Sequence, residues 1–140
     1  MTLRLLLPQE YVSNKMAFVK RPSPDCFQRQ LKDILKKFPN SKNSIEKSID
    51  ALAQNPLSAG DRIQGLFTDI HIRKIRLPIE EYNISQRKGL RVILLVLEEQ
   101  QETLTITIYY KGNYKSEDEV RKLIKKNLKE ILATPCNSSQ

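Results

Sequence analysis

Leu90 to Leu97 reads LRVILLVL, apolar at every position except Arg91. A strand with one wet face alternates apolar and polar residues, so an unbroken run of this length implies a central strand with both faces covered. A chain carrying such a strand must build a layered fold around a sheet. The neighbouring segments supply the other strands. Leu104, Ile106 and Ile108 alternate with Thr103, Thr105 and Thr107, the pattern of a half-buried strand of high β-propensity, and Glu98 to Glu102 reads as the turn before it. Ile70 and Ile72 fall on the opposite phase from Ile75 and Leu77. The slip at Arg73-Lys74 predicts a β-bulge there. Pro78 to Lys88 reads as a polar connection, and Ala17 to Arg21 as a short first strand.

Helices flank the strands. Ser23-Pro24-Asp25 predicts a helix start with Ser23 as cap, Pro24 at the first helical position and Asp25 against the positive dipole end. Phe27, Leu31, Ile34, Leu35 and Phe38 then form one apolar stripe, stopped by Pro39-Asn40. Ile45, Ile49, Leu52 and Ala53 mark a second helix ending near Asn55-Pro56, which completes an α-hairpin. Leu57 to Phe67 reads as loop, punctuated by Gly60 and Gly65. Ser116 and Glu119 make a capping box for a last helix whose apolar face is Val120, Leu123, Ile124, Leu128, Ile131 and Leu132. Its lysines 122, 125, 126 and 129 read as a solvated face. The expected order is β-α-α-β-β-β-α, an α+β fold with the helical hairpin on one face of a small, mainly antiparallel sheet. The other face, or the sheet's open end, is then free to bind. Residues 16–132 form the expected single domain, with residues 1–15 as an extension outside the core and 133–140 as a disordered tail.

Much chemistry is excluded. His71 is the single histidine, so paired-histidine acid–base catalysis is out. Asp69 is isolated on its strand, and Cys26 and Cys136 have no partner at zinc spacing, so neither metal-dependent hydrolysis nor a structural metal is expected. GDRIQG lacks the lysine of a nucleotide-binding loop, and no cofactor is expected. The cysteines show no disulfide framework, LRLLLP is too short for a signal h-region, and no stretch reaches membrane-spanning length. A reduced, cytoplasmic chain is expected.

What remains is cationic. The net charge is +8, and Arg and Lys recur at strand ends throughout residues 60–114. A sheet that presents cations from several strands to one place suits an anionic ligand, above all nucleic acid. Lys74 and Arg76, two apart on one strand, share a face. Arg91 opens the next strand, and Lys111 and Tyr114 follow the last one. If these ends converge, they form a phosphate-sized pocket. Such a pocket can run metal-free RNA cleavage, in which a 2′-hydroxyl attacks the adjacent phosphate and cations stabilise the phosphorane-like transition state. Arg73, Arg87 and Lys88 are further candidate RNA contacts.

At these segments the chain resembles the RelE/ParE superfamily of toxins from bacterial toxin–antitoxin pairs, its RelE/HigB-like branch above all. The likeness is carried by Gly60-Asp61-Arg62-Ile63-Gln64-Gly65, Arg73-Lys74-Ile75-Arg76-Leu77, Lys88-Gly89-Leu90-Arg91-Val92-Ile93 and Ile108-Tyr109-Tyr110-Lys111, in that order. The resemblance implies a toxin that enters the ribosome and cuts mRNA without a metal, held in check by a cognate antitoxin. It implies Lys74 as base or charge stabiliser, and Arg76 and Arg91 on the scissile phosphate. Lys111 or Tyr114 would protonate the leaving oxygen or stack on a base. Glu80-Glu81 departs from the more basic segment of relatives, and Leu94 from a frequent tyrosine. The ParE-like branch, which binds DNA gyrase and does not cut RNA, and a decayed toxin without activity are the competing readings.

Overall fold

The computed structural model describes residues 17–63 and 70–133. Five strands form one sheet: β1 (Val19–Lys20), β2 (Asp61–Arg62), β3 (His71–Leu77), β4 (Leu90–Leu97) and β5 (Glu102–Tyr110). Three helices accompany them: α1 (Asp25–Lys37), α2 (Lys42–Gln54) and α3 (Glu117–Ala133). The sheet order is β1-β5-β4-β3-β2, antiparallel throughout except for the short β1–β5 pair. The α+β architecture and mainly antiparallel sheet match the sequence expectation. β2 is an addition: Asp61-Arg62, read as loop, pairs with Lys74 and Arg73 at the sheet edge. The extension 1–15, Met16, the tail from Thr134 with Cys136, and the loop residues Gln64, Gly65 and Asp69 lie outside the described residues.

The apolar run of β4 does what its composition demands. Leu90, Val92 and Leu94 face the α1–α2 hairpin, in a core with Phe27, Ile34, Phe38, Ile45, Ile49, Ile75 and Leu77. Ile93 faces the other way, into a second core with Ile72, Ile106, Tyr109, Val120, Ile124 and Leu128. The sheet is thus sandwiched, and the expectation of a free second face is corrected: α3 covers it. At one end that face carries Lys74, Arg76 and Arg91.

Two-sided burial also explains the apparent phase slip in β3. Ile72 belongs to one core and Ile75 to the other, and β3 pairs with β4 from His71↔Val96 to Leu77↔Leu90 without a break. The bulge expected at Arg73-Lys74 is absent. It lies instead in β5, where consecutive Ile93 and Leu94 face Thr107 and Thr105, leaving Ile106 as the extra residue. Thr103, Thr105 and Thr107 are fully buried rather than solvent-facing. Each hydroxyl is satisfied: Thr103 donates to Ala53 O (2.8 Å), Thr105 to Ser23 Oγ (2.9 Å), and Thr107 accepts from Asn127 Nδ2 (3.0 Å).

Ser23 is spent on that contact, and it also accepts from Lys20 Nζ (3.2 Å). The expected cap is therefore not made; Pro24 occupies the N-cap position of α1. Half of the expected capping box of α3 forms: Ser116 Oγ accepts from Glu119 N (3.3 Å), while Glu119 Oε1 accepts from Lys115 N (2.7 Å), one residue before the cap. Leu132, assigned to the apolar face of α3, is exposed, and Asn127 is buried in its stead.

Beyond the two residues paired with β1, the outer edge of β5 would be an open row of backbone groups. Side chains close it. Ile106 O accepts from Asn127 Nδ2 (3.0 Å) and Cys26 Sγ (3.8 Å), and Ile108 N donates to Gln30 Oε1 (3.1 Å). Arg29 and Glu130 then clamp α1 to α3 through two bonds of 2.9 and 2.8 Å. No described helix is long and apolar enough to cross a membrane.

Candidate functional site

Register brings three separated residues into one row. Arg76 pairs with Arg91, and Arg91 with Tyr109, so all three side chains leave the sheet on the α3 side. Lys74, two residues before Arg76, shares that face. The bulge at Ile106 matters here. Without the extra residue Tyr109 would fall on the phase of Thr103 and Thr105, facing the helical hairpin; the bulge re-aims it to the arginines.

Around this row the other groups close in. Tyr114 stacks edge-on against Tyr109, with ring centroids 5.1 Å apart. The first turn of α3 brings Glu117, whose Oε2 lies 3.8 Å from Lys74 Nζ. Lys111 sits exposed on the turn after β5, tied by its backbone N–H to Gly89 O (2.9 Å) at the same end of the sheet.

Arg91 is only 4 % exposed, which makes its environment decisive. Nη1 donates to the carbonyls of Gln86 (2.9 Å) and Leu90 (3.1 Å), and Nη2 to that of Arg87 (2.8 Å). The guanidinium is thereby fixed before any ligand arrives, while Nε makes no bond to a described protein group. Burial, and next the proximity of Arg76, push its pKa below the ordinary value. An anion placed between the two arginines relieves both effects.

Tyr109 is pushed up to about 12, by burial first and by Glu117 and Tyr114 further, against the opposing pull of Arg91 and Arg76. Tyr114 is raised too, by burial and then Glu119. Both phenols therefore hold their protons more tightly than a free tyrosine does. The sign of the linkage follows. The folded state holds the Tyr109 proton more tightly than the unfolded chain, so its contribution to stability is complete below pH 10 and is lost as pH rises toward about 12. Denaturant midpoints of the wild type are expected to fall more steeply across that window than those of Tyr109→Phe; parallel curves contradict the shift.

The remaining sequence candidates divide. Arg87 and Lys88 are exposed on the short turn Gln86–Lys88 whose carbonyls hold Arg91. Arg73 is not brought to the site. It leaves the opposite face of β3 and donates to Ala59 O (Nε, 3.3 Å; Nη2, 3.0 Å) and Gly60 O (2.9 Å), bracing the loop where Gly60 has a positive φ of 74°. His71 accompanies it, buried, with Nε2 3.4 Å from Arg73 Nη1 and Nδ1 3.3 Å from Glu98 Oε1 without a hydrogen bond between them. Glu81 accepts from Ser44 Oγ (3.0 Å) at the start of α2, and its neighbour Tyr82 packs on Phe38, so this connection belongs to the hairpin side.

Two residues of the site were not anticipated from sequence. Tyr109 is quoted in the IYYK segment, but only the bulge aims it at the arginines. Glu117 reads as one of three acidic residues suited to a helix N-terminus, and nothing local links it to Lys74.

No protein-family model matches this chain, and comparison with curated proteins returns no match. The functional reading rests on the chain's own residues.

Proposed function

We propose that the chain is the toxin of a toxin–antitoxin pair, a RelE/HigB-like endoribonuclease that cuts ribosome-bound mRNA. The observation that carries the reading is the row Arg76–Arg91–Tyr109, with Lys74, Tyr114 and Glu117 around it. It unites phosphate binding, a proton acceptor and proton donors at one end of a sheet, and none of the steps needs a metal.

In the proposed reaction Arg76 and Arg91 bind the scissile phosphate, Arg91 from its fixed position. Glu117 accepts the proton of the ribose 2′-hydroxyl as the 2′-oxygen bonds to phosphorus. The bond from phosphorus to the 5′-oxygen breaks, and Tyr109 or Tyr114 gives that oxygen a proton. The products are a 2′,3′-cyclic phosphate and a free 5′-hydroxyl. Lys74, beside Glu117, adds positive charge to the equatorial oxygens. A cognate antitoxin would block this end of the sheet.

The test is induced expression, with growth and cleavage of ribosome-bound mRNA read together. Wild type is expected to arrest growth and produce discrete cuts; Lys74→Ala is expected to relieve both. Glu117→Gln separates a base from a mere charge screen. Loss of a general base slows cleavage about 10²-fold while RNA binding holds or tightens. If Glu117 only screens the cations, the variant cuts faster. Inhibition of gyrase supercoiling by the purified chain, without mRNA cleavage, would favour the ParE-like alternative.

A further inference from the structure

On the hairpin side of the sheet, away from the cationic row, a groove of about 510 Å³ runs between α1 and α2. Phe27, Leu31 and Leu35, one per turn of α1, and Ile49 of α2 give it an apolar floor. Leu31 and Leu35 are only half-buried, so the groove holds apolar surface that is favourable to cover. Cavities of roughly 150 Å³ hold a benzene ring, so this groove takes three side chains of leucine size.

The rim is charged unevenly. Glu46 and Asp50, four residues apart on α2, stand exposed on one wall, and neither forms an ion pair with a described residue. Like charges at that spacing repel, and a cation between them relieves the repulsion. Lys20, at the β1 end of the groove, is turned instead to Ser23 Oγ (3.2 Å).

The chain itself reaches that end of the groove. Phe18 N donates to Gln54 O (2.9 Å), which fixes the start of β1 beside the end of α2. Upstream of Ala17 the sequence reads MTLRLLLPQEYVSNKM, with four leucines around Arg4. On an extended chain Leu3, Leu5 and Leu7 share one side and Arg4 takes the other. That is three apolar side chains for the floor and one cation for the rim. Leu3 to Leu7 spans about 13 Å when extended, and Phe27 to Leu35 spans about 12 Å of helix. Leu7 and Ala17 are ten residues apart, a link that reaches up to roughly 33 Å. Such a tether also keeps the leucines at an effective concentration in the mM range, which favours the chain's own segment over a second copy.

We infer that residues 3–7 form a strap in cis over the helical hairpin. Leu3, Leu5 and Leu7 seat on Phe27, Leu31, Leu35 and Ile49, and Arg4 pairs with Glu46 and Asp50. The strap ties β1 to both hairpin helices. It lies on the opposite side of the sheet from Arg76, Arg91 and Tyr109, so it stands independently of the nuclease reading.

The test is NMR of the full chain. Wild type is expected to show NOEs from the methyls of Leu3, Leu5 and Leu7 to Phe27, Leu31 and Leu35. Leu5→Asp with Leu7→Asp is expected to abolish them and to lower the thermal midpoint by about 4 °C or more, with the amide spectrum of the sheet unchanged. A synthetic peptide of residues 1–15 is expected to bind that double variant and not wild type, whose groove is filled. Adding Glu46→Lys and Asp50→Lys to the double variant is expected to weaken the peptide about 5-fold. Absence of the NOEs in wild type, or equal peptide binding by wild type and double variant, overturns the strap and leaves the groove open to a separate partner. NOEs found only between differently labelled copies give the groove to a second copy and overturn it equally. Peptide affinity untouched by the charge reversals overturns the pairing of Arg4.

Discussion

On the proposed nuclease reading, Arg91→Ala is expected to slow cleavage sharply and weaken the fold together, and Arg91→Lys to separate the two effects. The side chain holds three backbone carbonyls of residues 86, 87 and 90, and it stands in the row with Arg76 and Tyr109. Truncation removes a preorganised cation from the phosphate, a loss of about 10²–10³-fold in rate. It also leaves the three carbonyls to solvent that reaches them poorly, a cost of about 2 kcal/mol. Lysine restores the charge but offers one nitrogen where the guanidinium offers a planar fork. It is expected to recover part of the stability and little of the rate. Urea denaturation with single-turnover cleavage reads both quantities. Full activity in Arg91→Ala would remove Arg91 from the site and leave it a structural brace.

The largest effect on stability is expected from Gly89→Ala. A Cβ at residue 89 would lie 2.2 Å from Leu77 O and 2.9 Å from Ser85 O. Both neighbours are backbone and cannot swing aside. Relief requires pulling β4 away from β3 at the Leu77–Leu90 pair, the end of the sheet that carries Arg76 and Arg91. The expected cost is about 3 kcal/mol, near 10 °C in thermal midpoint for a domain of this size. Activity falls with it, because the arginine pair is displaced. Gly112→Ala is the internal contrast. Its Cβ would meet the Tyr110 ring at 2.8 Å, a side chain that can yield, so a loss below about 1 kcal/mol is expected. Equal destabilisation by the two substitutions would mean that the backbone contact at Gly89 is not the cause.

The class of fold was legible in the sequence because it depends on local signals that sum along the chain. The apolar stripes of α1 and α2, the capping box of α3 and the uninterrupted run of β4 each constrain their own element. The run of β4 also demanded cover on both faces, a demand that only α3 could meet on the second. Cationic side chains at Lys74, Arg76 and Arg91 were legible as well, since alternation places the first two together and Arg91 interrupts an otherwise apolar strand.

Which of those cations meet was a matter of register, and register is a non-local property. One extra residue in β5 turned Tyr109 from the hairpin to the arginines. The same sidedness sent Arg73 to the far face, where carbonyls of Ala59 and Gly60 hold it. Glu117 reaches Lys74 from more than forty positions down the chain. Sequence alone determined that this chain would layer helices on a sheet with positive charge at its strand ends, because periodicity and composition act within each element. The tertiary structure alone decided that Arg76, Arg91, Tyr109 and Glu117 would share one site, because that follows from strand pairing and helix docking, which no single segment encodes.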